Sequence, residues 1–260
     1  MKRFFSSLAM TFSMFSVLPM PQVKWEKDNM RYLLGNLPLV GLVIGLVLWA
    51  WFLLCAWLNL GDFFFAVGLT LLPVWLSGGI HLDGYCDTAD ALASHASPER
   101  KREILKDSHV GAFALLAIVL WFLLYLGFCT ELNRVVEGVW ALGVIQILSR
   151  ALGSLASLLF PSPKQPGALA SFRSAANHQG AVVVLLLWVA LCFALLCFLS
   201  PWGAGTVLLL ALFCLIHVYR LAKKEFLGMS GDLTGYLISL SQLWLGLGYV
   251  LAERVVAVCC

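Results

Sequence analysis

Apolar residues run through this chain in long unbroken stretches, and polar residues gather in the gaps between them. Seven stretches fall within the range of about 17–25 residues that an α-helix uses to cross a bilayer: 34–58, 62–80, 111–129, 136–160, 181–200, 203–219 and 235–252. Their polarity does not alternate as barrel strands would, and only helices or closed barrels satisfy a backbone in lipid. The pattern predicts an all-α, polytopic helical membrane protein with about seven transmembrane helices in a single integral membrane domain, 1–260. The fourth stretch carries Arg150 inside it, and Pro201-Trp202-Gly203 supplies a turn before the sixth.

The first twenty residues follow another pattern. Met1-Lys2-Arg3 and the apolar run to Met20 resemble a signal peptide, yet no small-x-small cleavage site precedes Pro19 and Pro21. Phe4, Leu8, Phe12 and Phe15 recur at helical spacing, with Ser6, Ser7 and Ser13 elsewhere on the wheel. This predicts an uncleaved amphipathic helix lying in the membrane interface.

Composition agrees: 61% of the residues are hydrophobic and 12% charged, about half the charge of a soluble domain. The net charge of +3 gives no sign of a nucleic-acid partner. The placement of charge says more. Lys2, Arg3, Lys24, Lys27, Arg31, Arg100, Lys101, Arg102, Lys106, Lys164, Arg173, Arg220, Lys223 and Lys224 all fall on one side of the predicted spans. Only Arg134 and Arg254 fall on the other, and Arg150 is intramembrane. By the positive-inside rule the N-terminus is cytoplasmic, the C-terminus lies outside and the span number is odd. Residues 81–110 and 161–180 then become the long cytoplasmic segments after the first span. Cys55, Cys129, Cys192, Cys197 and Cys214 lie in apolar runs without metal-ligand spacing, Cys86 stands alone among aspartates, and Cys259 and Cys260 are adjacent. Free thiols, behaving mostly as small hydrophobes, are expected.

Candidate chemistry concentrates in 81–110, read as a cytoplasmic catalytic loop with its flanking helix ends. In His81-Leu-Asp83-Gly-Tyr-Cys-Asp87-Thr-Ala-Asp90 the three acids sit at i, i+4 and i+7, within about 60° of one another on a helix. Three like charges on one face repel, so a cation or a proton must compensate them. Magnesium takes oxygen ligands and commonly joins carboxylates to substrate phosphates, and acids at membrane depth point to function. A solvated helix start explains one acid, but not three on one face. Asp107 could complete a metal site from a neighbouring helix. Arg100, Arg102 and Lys106 suit phosphate oxygens, although positive-inside charge accounts for them as well. His81, His95 and His109 are fourteen residues apart and form no compact zinc motif; His81 suits a general acid/base or a substrate hydrogen-bonder.

Gly78-Gly79-Ile80-His81-Leu82-Asp83-Gly84, Asp87-Thr88-Ala89-Asp90 and Lys106-Asp107-Ser108-His109-Val110-Gly111 resemble the signature of the cobalamin synthase family, the adenosylcobinamide-GDP ribazoletransferases. Leu18-Pro19-Met20-Pro21, Leu37-Pro38-Leu39-Val40-Gly41, Ser149-Arg150 and Gly228-Met-Ser-Gly231-Asp232-Leu-Thr-Gly235 extend the resemblance over nearly the whole chain. It implies transfer of the adenosylcobinamide phosphate group from adenosylcobinamide-GDP to α-ribazole, or its 5′-phosphate. GMP would be released, with magnesium, at the cytoplasmic face of a bacterial inner membrane. With the spacing, it assigns Asp83, Asp87 and Asp107 as metal ligands and Asp90 as a fourth ligand or the base. Arg102, Lys106, Arg150 and Asp232 would hold phosphate or substrate, with salt bridging an equal reading for the last two. Departures from the family pattern are Ala91 and Leu227 in place of Gly, Ser230 in place of Thr, and Gln242 in place of a frequent Glu. The arrangement also resembles CDP-alcohol phosphotransferases, but lacks their Asp-x-x-Asp-Gly spacing. A cation transporter would also carry intramembrane acids; it would show repeats and a midplane site, and no repeat is evident. Homo-oligomerisation stays open.

Overall fold

The computed structural model describes residues 2–107, 109–132, 136–162 and 167–259. Arg134 and Lys164 of the charge pattern, Ser108 of the Lys106–Gly111 segment and Cys260 lie outside the described residues. Among the described residues every regular element is an α-helix: α1 (Lys2–Phe15), α2 (Lys27–Met30), α3 (Leu33–Trp57), α4 (Asp62–Leu76), α5 (Ile80–Ala93), α6 (Pro98–Ile104), α7 (Ala112–Glu131), α8 (Val136–Leu159), α9 (Ala168–Ala175), α10 (His178–Leu199), α11 (Pro201–Lys224) and α12 (Gly231–Cys259). Six of them, α3, α7, α8, α10, α11 and α12, are long and apolar enough to cross a membrane, and α4 with α5 makes a seventh as a bent pair.

The bend corrects two expectations. Residues 62–80 do not form one straight span, and 81–110 is not a loop but α5, a short connection and α6. α4 stops at Leu76 and the axis turns by 89° before α5 begins. The turn is made by Gly78 and Gly79, whose φ angles of +64° and +73° lie where a Cβ is disfavoured. Ile80 and Leu82 keep the sequence apolar through the corner, so hydropathy does not register it.

α8 is the central helix, with 94% of its most apolar window buried inside the protein. This explains how one span can carry Gln146, Ser149, Arg150, Ser154 and Ser157: all are buried against protein, where partners exist that lipid cannot offer. It packs between α3, α10 and α12. α11 starts at Pro201, so Pro201-Trp202-Gly203 forms its first turn instead of the expected turn before it, and it is capped by Ser200, whose Oγ accepts from the Gly203 amide at 3.0 Å.

α1 is a helix as expected; of its predicted apolar face Phe12 is buried and Leu8 and Phe15 pack against the core. Ser7, Met10 and Thr11 are buried while Phe4 is exposed. The Ser7 hydroxyl donates to the Asn29 carbonyl and the Thr11 hydroxyl to the Ser7 carbonyl at 2.8 Å. With its hydroxyls satisfied by backbone, the small-residue face can approach α2 and α3 closely. The chain leaving α1 is tied to the corner, the Val17 amide donating to the Leu76 carbonyl at 2.9 Å. Cys86, Cys129, Cys192, Cys197, Cys214 and Cys259 are free thiols, as expected.

Candidate active site

α5 carries the carboxylate stripe as one helix, and its opposite face, with His81, Gly84, Thr88 and Ala91, is buried. That face lies directly on the start of α12. A Cβ on Gly84 would fall 2.6 Å from the Asp232 carbonyl oxygen, and one on Gly235 would fall 3.0 Å from that of His81. These two motif glycines let the two backbones meet, which places Asp232 beside the stripe. Tyr85 and Tyr236 stack across the same contact, ring centroids 5.3 Å apart. Ser230, standing in place of the family's Thr, keeps a capping hydroxyl, accepting from the Leu233 amide at 3.2 Å. Leu227 has a φ of +54°, in the left-handed region that favours glycine.

Asp83 and Asp87 line a cavity of about 650 Å³ with Cys86, Ser16 and Ser77, closed by apolar side chains such as Leu115 and Phe122 of α7. Asp83 also lines a second cavity of about 300 Å³, together with His81 and Asp232. Asp83, Asp232 and Asp90 each act repulsively on a charge at Asp87. Among the described residues none of these four acids forms an ion pair. A carboxylate cluster without a cation, facing an opening large enough for phosphate, has the chemistry of a divalent-cation site. No three His, Cys, Asp or Glu side chains converge into a metal cage among the described residues. Magnesium needs no such cage, being commonly held by one or two carboxylates plus substrate phosphates and water.

The other site residues are placed differently. Asp90 is committed to structure: its Oδ2 accepts from the Gly111 amide at 2.6 Å and its Oδ1 from the Ala114 amide at 2.8 Å. It caps α7, whose own N-cap residue, Gly111, has no side chain to do so. Both of its oxygens are thus engaged by backbone amides at the start of α7, and it does not line the cavity of Asp83 and Asp87. Asp107 is exposed and does not line the cavity of Asp83 and Asp87. The His109 ring, 2.6 Å away, holds its carboxyl below the usual range. Arg102, on α6, and Lys106, just after it, are also absent from that lining. The neighbouring Lys101, not singled out in sequence, is buried and pairs with Glu225 at 2.5 Å, fastening α6 to the end of α11.

Arg150 is wholly buried and meets no carboxylate. Its Nη1 donates to the Gln146 carbonyl and to Gln146 Oε1, both at 2.9 Å. Gln242 donates to the same Oε1 at 3.0 Å, and Gln146 Nε2 to the Tyr125 hydroxyl at 3.1 Å. The salt bridge expected as one reading of Arg150 is not found among the described residues; Gln146 engages its Nη1, while its Nε and Nη2 have no hydrogen-bond partner there. His81 is buried and stacks on Phe15, centroids 5.9 Å apart and planes at 19°. Phe15, read in sequence only as part of the apolar face of α1, walls the smaller cavity with Phe172, which was not singled out in sequence. The only signal for Phe172 was its place in the second long segment, 161–180, which folds in part as α9.

Residues 7–250 match the family described as cobalamin-5-phosphate synthase. The chain is 38% identical over 254 residues to an adenosylcobinamide-GDP ribazoletransferase of Lachnoclostridium phytofermentans, covering 98% of this chain and 97% of that one. Proteins of the same name from a Geobacillus species (31% over 250 residues, 94% and 95% covered) and Clostridium perfringens strain SM101 (31% over 244 residues, 93% and 96% covered) are also similar. No solved structure matches the chain. With one family covering its spans, its aspartate stripe and its late glycine segment together, this chain belongs to the cobalamin-5-phosphate synthase family.

Proposed function

We propose that the chain is a magnesium-dependent adenosylcobinamide-GDP ribazoletransferase of cobalamin biosynthesis. The observation that carries the chemistry is the unpaired carboxylate pair Asp83 and Asp87 on the wall of one cavity, within a family whose named members transfer ribazole. A ribose hydroxyl oxygen of α-ribazole, or of its 5′-phosphate, bonds to the phosphorus on the cobinamide side of the donor's pyrophosphate. The bond from that phosphorus to the bridging oxygen breaks, and GMP leaves with the electron pair. The hydroxyl proton passes to Asp232, which lines the smaller cavity beside Asp83. Asp83 and Asp87 would hold magnesium, which when bound neutralises charge developing on the phosphoryl oxygens. The remaining work is positioning of the two substrates, which the rigid α5–α12 contact supplies.

The basic-residue asymmetry supports a cytoplasmic site in a bacterial inner membrane. Cysteine labelling on a cysteine-free background tests this: His95→Cys should react only from the cytoplasmic side and Gly61→Cys only from outside. For the activity, purified protein in lipid nanodiscs is incubated with adenosylcobinamide-GDP, α-ribazole and magnesium, and products are identified by mass. Adenosylcobalamin and GMP in equal amounts, abolished by chelation and restored by magnesium, are expected. Full turnover after exhaustive chelation refutes the metal assignment, and no product under any condition refutes the transferase.

A further inference from the structure

The two cavities meet at Asp83 but differ in kind. The larger, about 650 Å³, has the acids and hydroxyls of Asp83, Asp87, Ser16 and Ser77 along one side. The smaller, about 300 Å³, is mostly apolar, and its acids, Asp83 and Asp232, both come from the α5–α12 contact. Small-molecule sites run from about 300 to 1,000 Å³, so the smaller cavity is at the lower limit. A corrin macrocycle does not enter it; a nucleoside does. Its walls favour a flat guest. The His81 and Phe15 rings lie nearly parallel, 19° apart. Phe172 supplies a further ring face and is itself backed by Trp25, 6.5 Å away between centroids. Aromatic walls of this kind reward stacking with a planar heterocycle.

Resting on the transferase reading above, we infer that the smaller cavity is the acceptor pocket. A nucleoside-sized molecule places its flat heteroaromatic base among Phe15, His81 and Phe172 and turns its ribose hydroxyls toward Asp83 and Asp232. The phosphorylated donor occupies the larger cavity, and the reacting atoms meet at Asp83. Because each substrate has its own chamber, the acceptor binds whether or not the donor and magnesium are present.

Binding of α-ribazole to the full chain in nanodiscs is measured by equilibrium dialysis without donor or metal, alongside steady-state KM values for both substrates. Leu169→Trp fills the smaller cavity from α9, and Phe172→Ala removes one aromatic wall. Each should weaken α-ribazole binding and raise the acceptor KM at least tenfold, leaving the donor KM within twofold. Leu115→Trp, in the larger cavity, should do the reverse. Phe172→Leu, keeping bulk but losing the flat face, gives the same test if Phe172→Ala does not fold. An unchanged acceptor KM in folded Leu169→Trp and Phe172→Leu overturns the pocket, as does an effect on the donor KM alone. Wild-type protein that binds α-ribazole but yields no product overturns the transferase reading and leaves the pocket standing.

Discussion

Adding one methyl group at Gly84 should disable the site without touching any carboxylate. A Cβ there meets the Asp232 carbonyl oxygen at 2.6 Å and the Asp232 Cα at 2.9 Å, against 3.4 Å for an ordinary contact. Both obstructing atoms are backbone, so no side chain can rotate away. The α5 and α12 backbones must therefore separate by roughly 0.8 Å at this point. Overpacking of this kind costs about 1–3 kcal/mol of stability. The functional effect should be larger, because a misplacement of about 1 Å can cost on the order of 100-fold in rate, and this one separates Asp83 from Asp232. Gly127→Ala is the control: the same change in α7, where a Cβ meets nothing within 4 Å. It should be neutral or stabilising by about 0.5–1 kcal/mol, as alanine is in a helix interior. The assay is GMP release in nanodiscs at saturating substrates, with thermal unfolding followed by fluorescence-detected size exclusion. Folded Gly84→Ala protein turning over within threefold of wild type would refute the close-contact reasoning.

Asp83→Asn and Asp87→Asn should each lower turnover by at least 100-fold while the protein stays folded, and Asp83→Asn should raise the half-saturating magnesium concentration; an unchanged magnesium titration would exclude it as a ligand. Asp90→Ala should instead lower the unfolding temperature, since lost caps cost about 0.5–2 kcal/mol, with the magnesium requirement unchanged. A large magnesium shift in that variant would show Asp90 to be a ligand after all. Leu227→Gly should raise stability by about 1 kcal/mol, because a left-handed conformation costs a non-glycine residue roughly 1–2 kcal/mol, partly offset by glycine's greater freedom when unfolded; a lower unfolding temperature would contradict this.

The spans were legible because lipid imposes one rule on every crossing helix, and the hydropathy of 111–129 or 136–160 obeys it. Helix ends were less so: α12 extends from Gly231 to Cys259, beyond the predicted 235–252, because Asp232 and Glu253 interrupt the apolar run without ending the helix. The stripe of Asp83, Asp87 and Asp90 was visible from its spacing. That Asp90 faces backbone amides of another helix was not, since main-chain donors leave no mark in a sequence. Arg102 and Lys106 do not line the cavity of Asp83 and Asp87, because whether a cation points at a cavity depends on the path of the chain. Arg150 was recognisable as exceptional, and its neutral partner Gln146 lies one turn earlier, but the Gln242 that holds Gln146 in place is nearly a hundred residues away.

α1 gives Phe15 to the stack on His81 and Met14 to both cavities, while α12 gives Asp232 and Gly235 to the smaller one. The walls of the site therefore come from α1 and α12, elements far apart along the chain. No nascent chain can assemble them before α12 has been made, so a polypeptide released ahead of α12 is inert. The N-terminal helix must wait at the bilayer, its hydroxyl-lined face uncovered, until α3 arrives to cover it.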